Sequence, residues 1–194
     1  PLIIQTFVWP VFASIICAIL FYFQVVNVTE KIVSVKNKNN KYLDRPYSKK
    51  NYQLTFMAIG FLVTFFALTK IGGMKSVFLV IFTFIACVGT LVDNRIHIIA
   101  NEMVLLLLAL GVVYQFLMNG FMGIVYGVIS MAVVFVLFMI TLKLTKGFST
   151  TGSKIGAGDL KLMMAVALIT GYPDVLTAFT AMSVSMVAYV LVGL

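Results

Sequence analysis

Charge is what this sequence has least of. Aspartate, glutamate, lysine and arginine make up 10% of its 194 residues, while 62% are hydrophobic. A water-soluble domain carries about 25% charged residues. A chain this poor in charge cannot cover its surface with polar groups, so most of that surface must face lipid. Cysteine and histidine are also scarce. Cys17 and Cys87 stand alone inside apolar runs, and His97 is the single histidine. With no CxxC pair, these residues supply no zinc site, and both cysteines read as core packing. The first apolar run has neither a basic leading region nor a clear small-residue cleavage site, so it does not read as a secretory signal.

What the sequence does have is long apolar stretches. A helix needs about 20 mainly apolar residues to cross a bilayer, and its backbone polar groups must be satisfied within the segment. Stretches of that length fall at 3–26, 53–69, 76–95, 103–119, 122–142, 155–172 and 175–193. The expected fold is an all-α membrane protein, a polytopic bundle of about six to seven transmembrane helices forming one domain over 1–194. Gly123 and Gly127 have GxxxG spacing in the fifth segment, which suits close approach of a neighbouring helix within the chain.

The formal charge of +8 could suggest nucleic acid, but its distribution argues against that. Seven of the fourteen basic residues lie in a polar connection over 29–52: Lys31, Lys36, Lys38, Lys41, Arg45, Lys49 and Lys50. The positive-inside rule places this basic loop in the cytoplasm. Threading seven segments from there brings Arg95, Lys143, Lys146, Lys154 and Lys161 to the same side, leaving only Lys70 and Lys75 opposite. The charge reports topology, and its partner is the lipid bilayer through anionic headgroups. A second connection, Lys143 to Ile155, is rich in Gly, Ser and Thr and reads as a mobile loop.

The six acidic residues are few enough to take singly. Glu30 and Asp44 belong to the basic loop and are expected to be solvated. Asp174 follows Pro173 and suits a helix start. Asn101 suits an N-cap, with Glu102 complementing the helix dipole. Asp93 and Asp159 differ from these four. A span starting after Lys75 ends near Arg95, which puts Asp93 in its last turn. The apolar run from Asp159 to Gly171 is about a dozen residues, so a full span must start near Lys154 and sink Asp159 by about 8 Å. Intramembrane acids are costly and usually line a cavity or polar pathway. Either aspartate alone reads as a helix-end residue. At matched depth near one face, the two together read as a site.

A carboxylate pair at close range shares one proton, because both members cannot ionise cheaply. The ionised member accepts a proton from water attacking a peptide carbonyl, and the protonated member donates to the oxyanion or the leaving amine. The pair titrates as a unit, so neither residue is assigned a fixed role. This chemistry requires no metal and no organic cofactor. Gly156-Ala-Gly158 before Asp159 leaves nearly bare backbone, against which an extended substrate strand could lie. The same residues also read as a glycine hinge entering a helix.

These motifs resemble a known family. Gly156-Ala-Gly-Asp159, followed by Leu160-Lys161-Leu162, is similar to the GxGD motif of type IV prepilin peptidases and the related preflagellin peptidases. Asp93-Asn-Arg-Ile-His-Ile-Ile-Ala-Asn101 resembles the first-aspartate motif of that family, with Ala100 where proline is usual. The resemblance covers about 76–190. It implies an aspartic endopeptidase of the cytoplasmic membrane, with Asp93 and Asp159 catalytic and a prepilin-like protein as substrate. It further implies that the leader is cut after a glycine and ahead of the pilin's hydrophobic helix, at the cytoplasmic face. Gly156 and Gly158 become substrate-binding residues. Lys161 either contacts substrate or snorkels to headgroups. Larger family members carry a cytoplasmic domain with paired cysteines, and many methylate the product with S-adenosylmethionine. This chain has neither those cysteines nor a comparable domain, so the expectation is peptidase activity, nearest to compact Tad-type members, with methyl transfer left open.

Two other readings are weighed. A presenilin-like or signal-peptide-peptidase-like enzyme shares GxGD but pairs it with Tyr-Asp, whereas Val92 precedes Asp93 here. An ion-coupled small transporter would use the two aspartates as ion ligands, and it predicts acids at the bilayer midplane in broken helices. HExxH is absent, and His97 has no GxSG partner for serine chemistry.

Overall fold

The computed structural model describes residues 2–38, 42, 44–148, 157–181 and 184. Lys154, Gly156 and all of 182–193 except Val184 lie outside the described residues. The elements in chain order are α1 (Leu2–Lys36), α2 (Lys49–Phe66) continued by a π turn (Ala67–Ile71), α3 (Gly73–Ile96), α4 (Asn101–Phe148) and α5 (Ala157–Thr170). A further helix, α6, covers 174–181. There is no strand among the described residues. Among the described residues, four helices are long and apolar enough to cross a membrane: Val8–Lys36, Lys49–Ile71, Gly73–Ile96 and Asn101–Thr141. The chain divides into two compact units, Pro1–Met103 and Val104–Leu194.

The first unit packs α1, α2 and α3 around Phe21, Val25, Val26, Val33, Phe56, Val88, Leu91, Val92 and Ile96. The buried residues of α2 are Phe56, Gly60 and Thr64, one stripe at i, i+4 and i+8. Gly60 is small because Phe21 lies on it: a Cβ there would meet the Phe21 ring at 2.6 Å. Phe21 in turn meets Phe84 of α3 edge-to-face, with centroids 5.3 Å apart. Gly72 and Gly73, both with positive φ, turn the chain from α2 into α3.

The connection expected over 29–52 is shorter than composition suggests, because α1 runs on to Lys36 and α2 begins at Lys49. Val26, Thr29 and Val33 carry the buried stripe of α1 past the point where lysines begin. The Thr29 hydroxyl is satisfied by donating to the Val25 carbonyl at 2.8 Å. Helix α4 begins at Asn101. Glu102 in the first turn accepts an ion pair from Lys36 at 2.5 Å.

In the second unit, α4 is broken at Gly120, with φ 64° and ψ −157°. Only glycine adopts that region without strain. The arm after the break folds back on the arm before it. A Cβ at Gly123 would stand 2.5 Å from the Gln115 carbonyl oxygen, and one at Gly127 would stand 3.7 Å from Gln115 Cγ. In an unbroken helix, residues 115 and 127 would be about 18 Å apart. Gly127 also receives α5, with Leu168 Cδ1 at 2.8 Å from where its Cβ would sit. The GxxxG pair therefore serves packing within the chain, Gly123 against the preceding arm of α4 and Gly127 against both that arm and α5. Val134, Ala167 and Val175 form the buried centre where α4, α5 and α6 meet.

Candidate functional site

Asp93 is placed by its neighbours. Leu91 and Val92 are fully buried and Ile96 nearly so, which fixes the rotation of α3 and leaves Asp93 and Asn94 on the exposed side. The helix stops one turn later. His97 takes the left-handed conformation (φ 51°, ψ 45°) and donates its N–H to the Asp93 carbonyl at 2.8 Å, closing the last turn.

A charged cluster surrounds the same helix end. The Arg95 guanidinium grips Asp44 with both branches, Nε to Oδ1 at 2.9 Å and Nη2 to Oδ2 at 2.5 Å. It also stands 4.6 Å from the centre of the Tyr47 ring. A two-branched carboxylate grip and a cation over an aromatic face are both geometries that arginine makes and lysine does not reproduce. The Arg95 carbonyl accepts the backbone N–H of Arg45 at 3.1 Å. Tyr47 donates its hydroxyl to Glu30 at 2.8 Å, and Lys49 reaches the same carboxylate oxygen at 3.0 Å. Burial, and then the hydrogen bond to Glu30, push the Tyr47 phenol up to about 12. Glu30, Asn37, Asp44, Tyr47 and Arg95 line a cavity of about 370 Å³.

The side chains of Glu30 and Asp44 are both solvent-exposed, as expected, and each also makes pairings that the sequence did not suggest. Glu30 is held by Tyr47 and Lys49, and Asp44 is paired with Arg95 although its side chain is 38% exposed. Pattern reading missed them because the partners are distant in sequence. The available signal was the run of tyrosines, Tyr42, Tyr47 and Tyr52, in an otherwise polar stretch. Tyr47 and Tyr52 meet ring to ring at 5.8 Å.

Asp159 lies in the first turn of α5 and is exposed. Gly158 and Lys161 share that turn, Gly158 half-buried and Lys161 exposed. Gly156 is outside the described residues. The opposite face of α5 is fixed by Ala165, Ala167 and Leu168, all buried. At its far end Gln115, 2% exposed, donates Nε2 to the carbonyls of Leu168 and Ile169 and accepts from Asn119 at 2.9 Å. Asp159 opens onto an apolar cavity of about 170 Å³, lined by Leu162, Met163 and Val166 of α5 and by Val175 and Phe179 from α6. Of the two expected catalytic acids, Asp93 belongs to the first compact unit and Asp159 to the second. Each is an exposed carboxylate at one end of an apolar helix.

The long apolar helices among the described residues, with Asp93 in the last turn of α3 and Glu102 in the first turn of α4, mark a multi-pass membrane protein. The family model of the type IV leader peptidase family matches residues 77–191, more than half of the chain and inclusive of both aspartates. The chain belongs to that family, and is a membrane peptidase of the kind that acts on prepilin-like proteins. No curated protein and no solved structure matches it significantly.

Proposed function

We propose that the protein is an aspartic endopeptidase that removes the leader of prepilin-like proteins at the cytoplasmic face of the cell membrane. Asp93 and Asp159 are its catalytic residues. The observation that carries this reading is the position of Asp159. It follows Gly156-Ala-Gly158 within the family-matched segment, stands exposed in the first turn of α5, and opens onto an apolar cavity. One carboxylate takes the proton of the attacking water, and the other supplies a proton to the oxyanion or the leaving amine. Gly156 and Gly158 bear no side chain that would hold an extended substrate away from the acid. Lys161, exposed half a turn further on, is placed to meet either substrate carboxylates or lipid headgroups.

The membrane topology proposed is six to seven crossings with the basic connection in the cytoplasm. The break of α4 at Gly120 supports counting its two arms as separate crossings. Lys143 then returns to the side of Lys38, as the positive-inside rule favours.

The test is co-expression in a bacterial membrane with prepilins carrying a short basic leader, followed by mass spectrometry of the product. Proteolysis at the peptide bond after the leader glycine is the expected result. Release at another bond of a prepilin that is cleaved would contradict the assigned specificity. A product heavier by one methyl group would add transferase activity.

A further inference from the structure

Asp44, Arg45 and Tyr47, which hold the end of α3 from outside the helix, precede the segment matched by the family, which begins at residue 77. Three separate contacts reach that helix end from the connection between α1 and α2. Asp44 grips the Arg95 side chain, Arg45 donates its N–H to the Arg95 carbonyl, and the Tyr47 ring lies against the guanidinium. Tyr47 is itself tied to Glu30 of α1. A continuous path thus runs from α1 through Glu30, Tyr47 and Arg95 into the last turn of α3. The Arg95 side chain is only 12% exposed, more enclosed than a surface ion pair needs.

The last carbonyls of any helix have no partner within it, and helix ends fray unless something else holds them. At this end the Asp93 carbonyl is taken by His97 and the Arg95 carbonyl by Arg45. The same turn carries the exposed Asp93 carboxylate. A carboxylate that must meet water and a peptide bond together loses rate steeply when its helix turn moves.

We propose that Arg95 is a positioning residue for Asp93, clamped by Asp44 and Tyr47 so that the last turn of α3 presents its carboxylate in one orientation. Arg95 does not touch substrate in this scheme; it acts through the helix end. The inference rests on Asp93 being catalytic, as proposed above.

The experiment is steady-state cleavage in proteoliposomes of a prepilin that the wild-type protein cleaves, with rates normalised to folded protein. The variants are Arg95→Gln, Arg95→Lys, Asp44→Asn, the Arg95→Gln/Asp44→Asn pair, and Asp93→Asn. Positioning predicts that Arg95→Gln lowers kcat by about 10- to 100-fold with KM little changed. Arg95→Lys falls between it and wild type, since lysine keeps the charge but not the two-branched grip. The double variant is no slower than Arg95→Gln alone, because both changes break one contact. Asp44→Asn, the milder change, carries the test if Arg95→Gln does not fold. An unchanged kcat in the folded Arg95 or Asp44 variants, with Asp93→Asn inactive, overturns the clamp and leaves the catalytic assignment standing. Cleavage by Asp93→Asn overturns both.

Discussion

Gln115 closes the far end of the helix that carries Asp159: its Nε2 donates to the Ile169 carbonyl at 2.8 Å from the preceding arm of α4. The same amide also reaches Leu168 at 3.1 Å. Carbonyls at a helix C-terminus have no partner within the helix, and here one buried side chain takes two of them. Gln115→Leu is expected to destabilise the protein by about 1–3 kcal/mol, the cost of leaving buried polar groups unmet. Unfolding of the purified protein in mixed lipid–detergent micelles measures it, and a loss near zero would mean that these carbonyls find other partners.

The close approach at the α4 break makes a graded prediction. A Cβ at Gly123 would press on the backbone oxygen of Gln115 at 2.5 Å, whereas one at Gly60 would press on the Phe21 ring at 2.6 Å. Backbone cannot turn aside as a ring can. Gly123→Ala should therefore cost more than Gly60→Ala in the same unfolding assay, within the range of about 1–3 kcal/mol typical of overpacking.

Tyr47 predicts a dependence on alkaline pH. Its phenol, ordinarily near 10, is raised to about 12 by burial and by the Glu30 carboxylate. The folded state therefore holds this proton more tightly than the unfolded state does. The stabilisation is fully present below pH 10 and is lost as pH rises through about 12. Wild-type stability should fall with pH across that window, and Tyr47→Phe should flatten this part of the profile. An identical slope in the variant would show that Tyr47 ionises as freely as an exposed phenol.

The break at Gly120 predicts where Lys143 lies. If the two arms of α4 cross the membrane separately, single cysteines placed at Lys38 and Lys143 react with a membrane-impermeant reagent from the same side, and one at Asn119 reacts from the other. Lys143 labelled from the side opposite to Lys38 would make α4 one long crossing.

Much of this architecture was legible in the sequence, for a specific reason. Lipid allows few backbone solutions, so apolar length alone located the helices around 53–69 and 76–95, within a few residues of α2 and α3. The GxxxG pair and the separation of 103–119 from 122–142 were legible too, since Gly120 interrupts the run. The end of α1 was not. Lysines from Lys31 onward resemble a loop, but lysine on an exposed helix face does not end a helix whose other face, at Thr29 and Val33, stays buried. The cluster of Glu30, Asp44, Tyr47 and Arg95 was hidden for a different reason. Its members are up to 65 positions apart, counting from Glu30 to Arg95, and no local pattern pairs them. Asp93 and Asp159 stood out because a carboxylate next to a long apolar run is costly in lipid and is rarely kept there without a task.

The central claim concerns those two carboxylates, and near-isosteric substitution tests it most directly. Asp93→Asn and Asp159→Asn each remove the titrating group while changing side-chain volume little. In a membrane that also contains a prepilin cleaved by the wild type, each variant alone should insert normally and leave the prepilin at full length on an immunoblot. Leader removal that persists in either variant at the wild-type rate would contradict the assignment of that aspartate as catalytic.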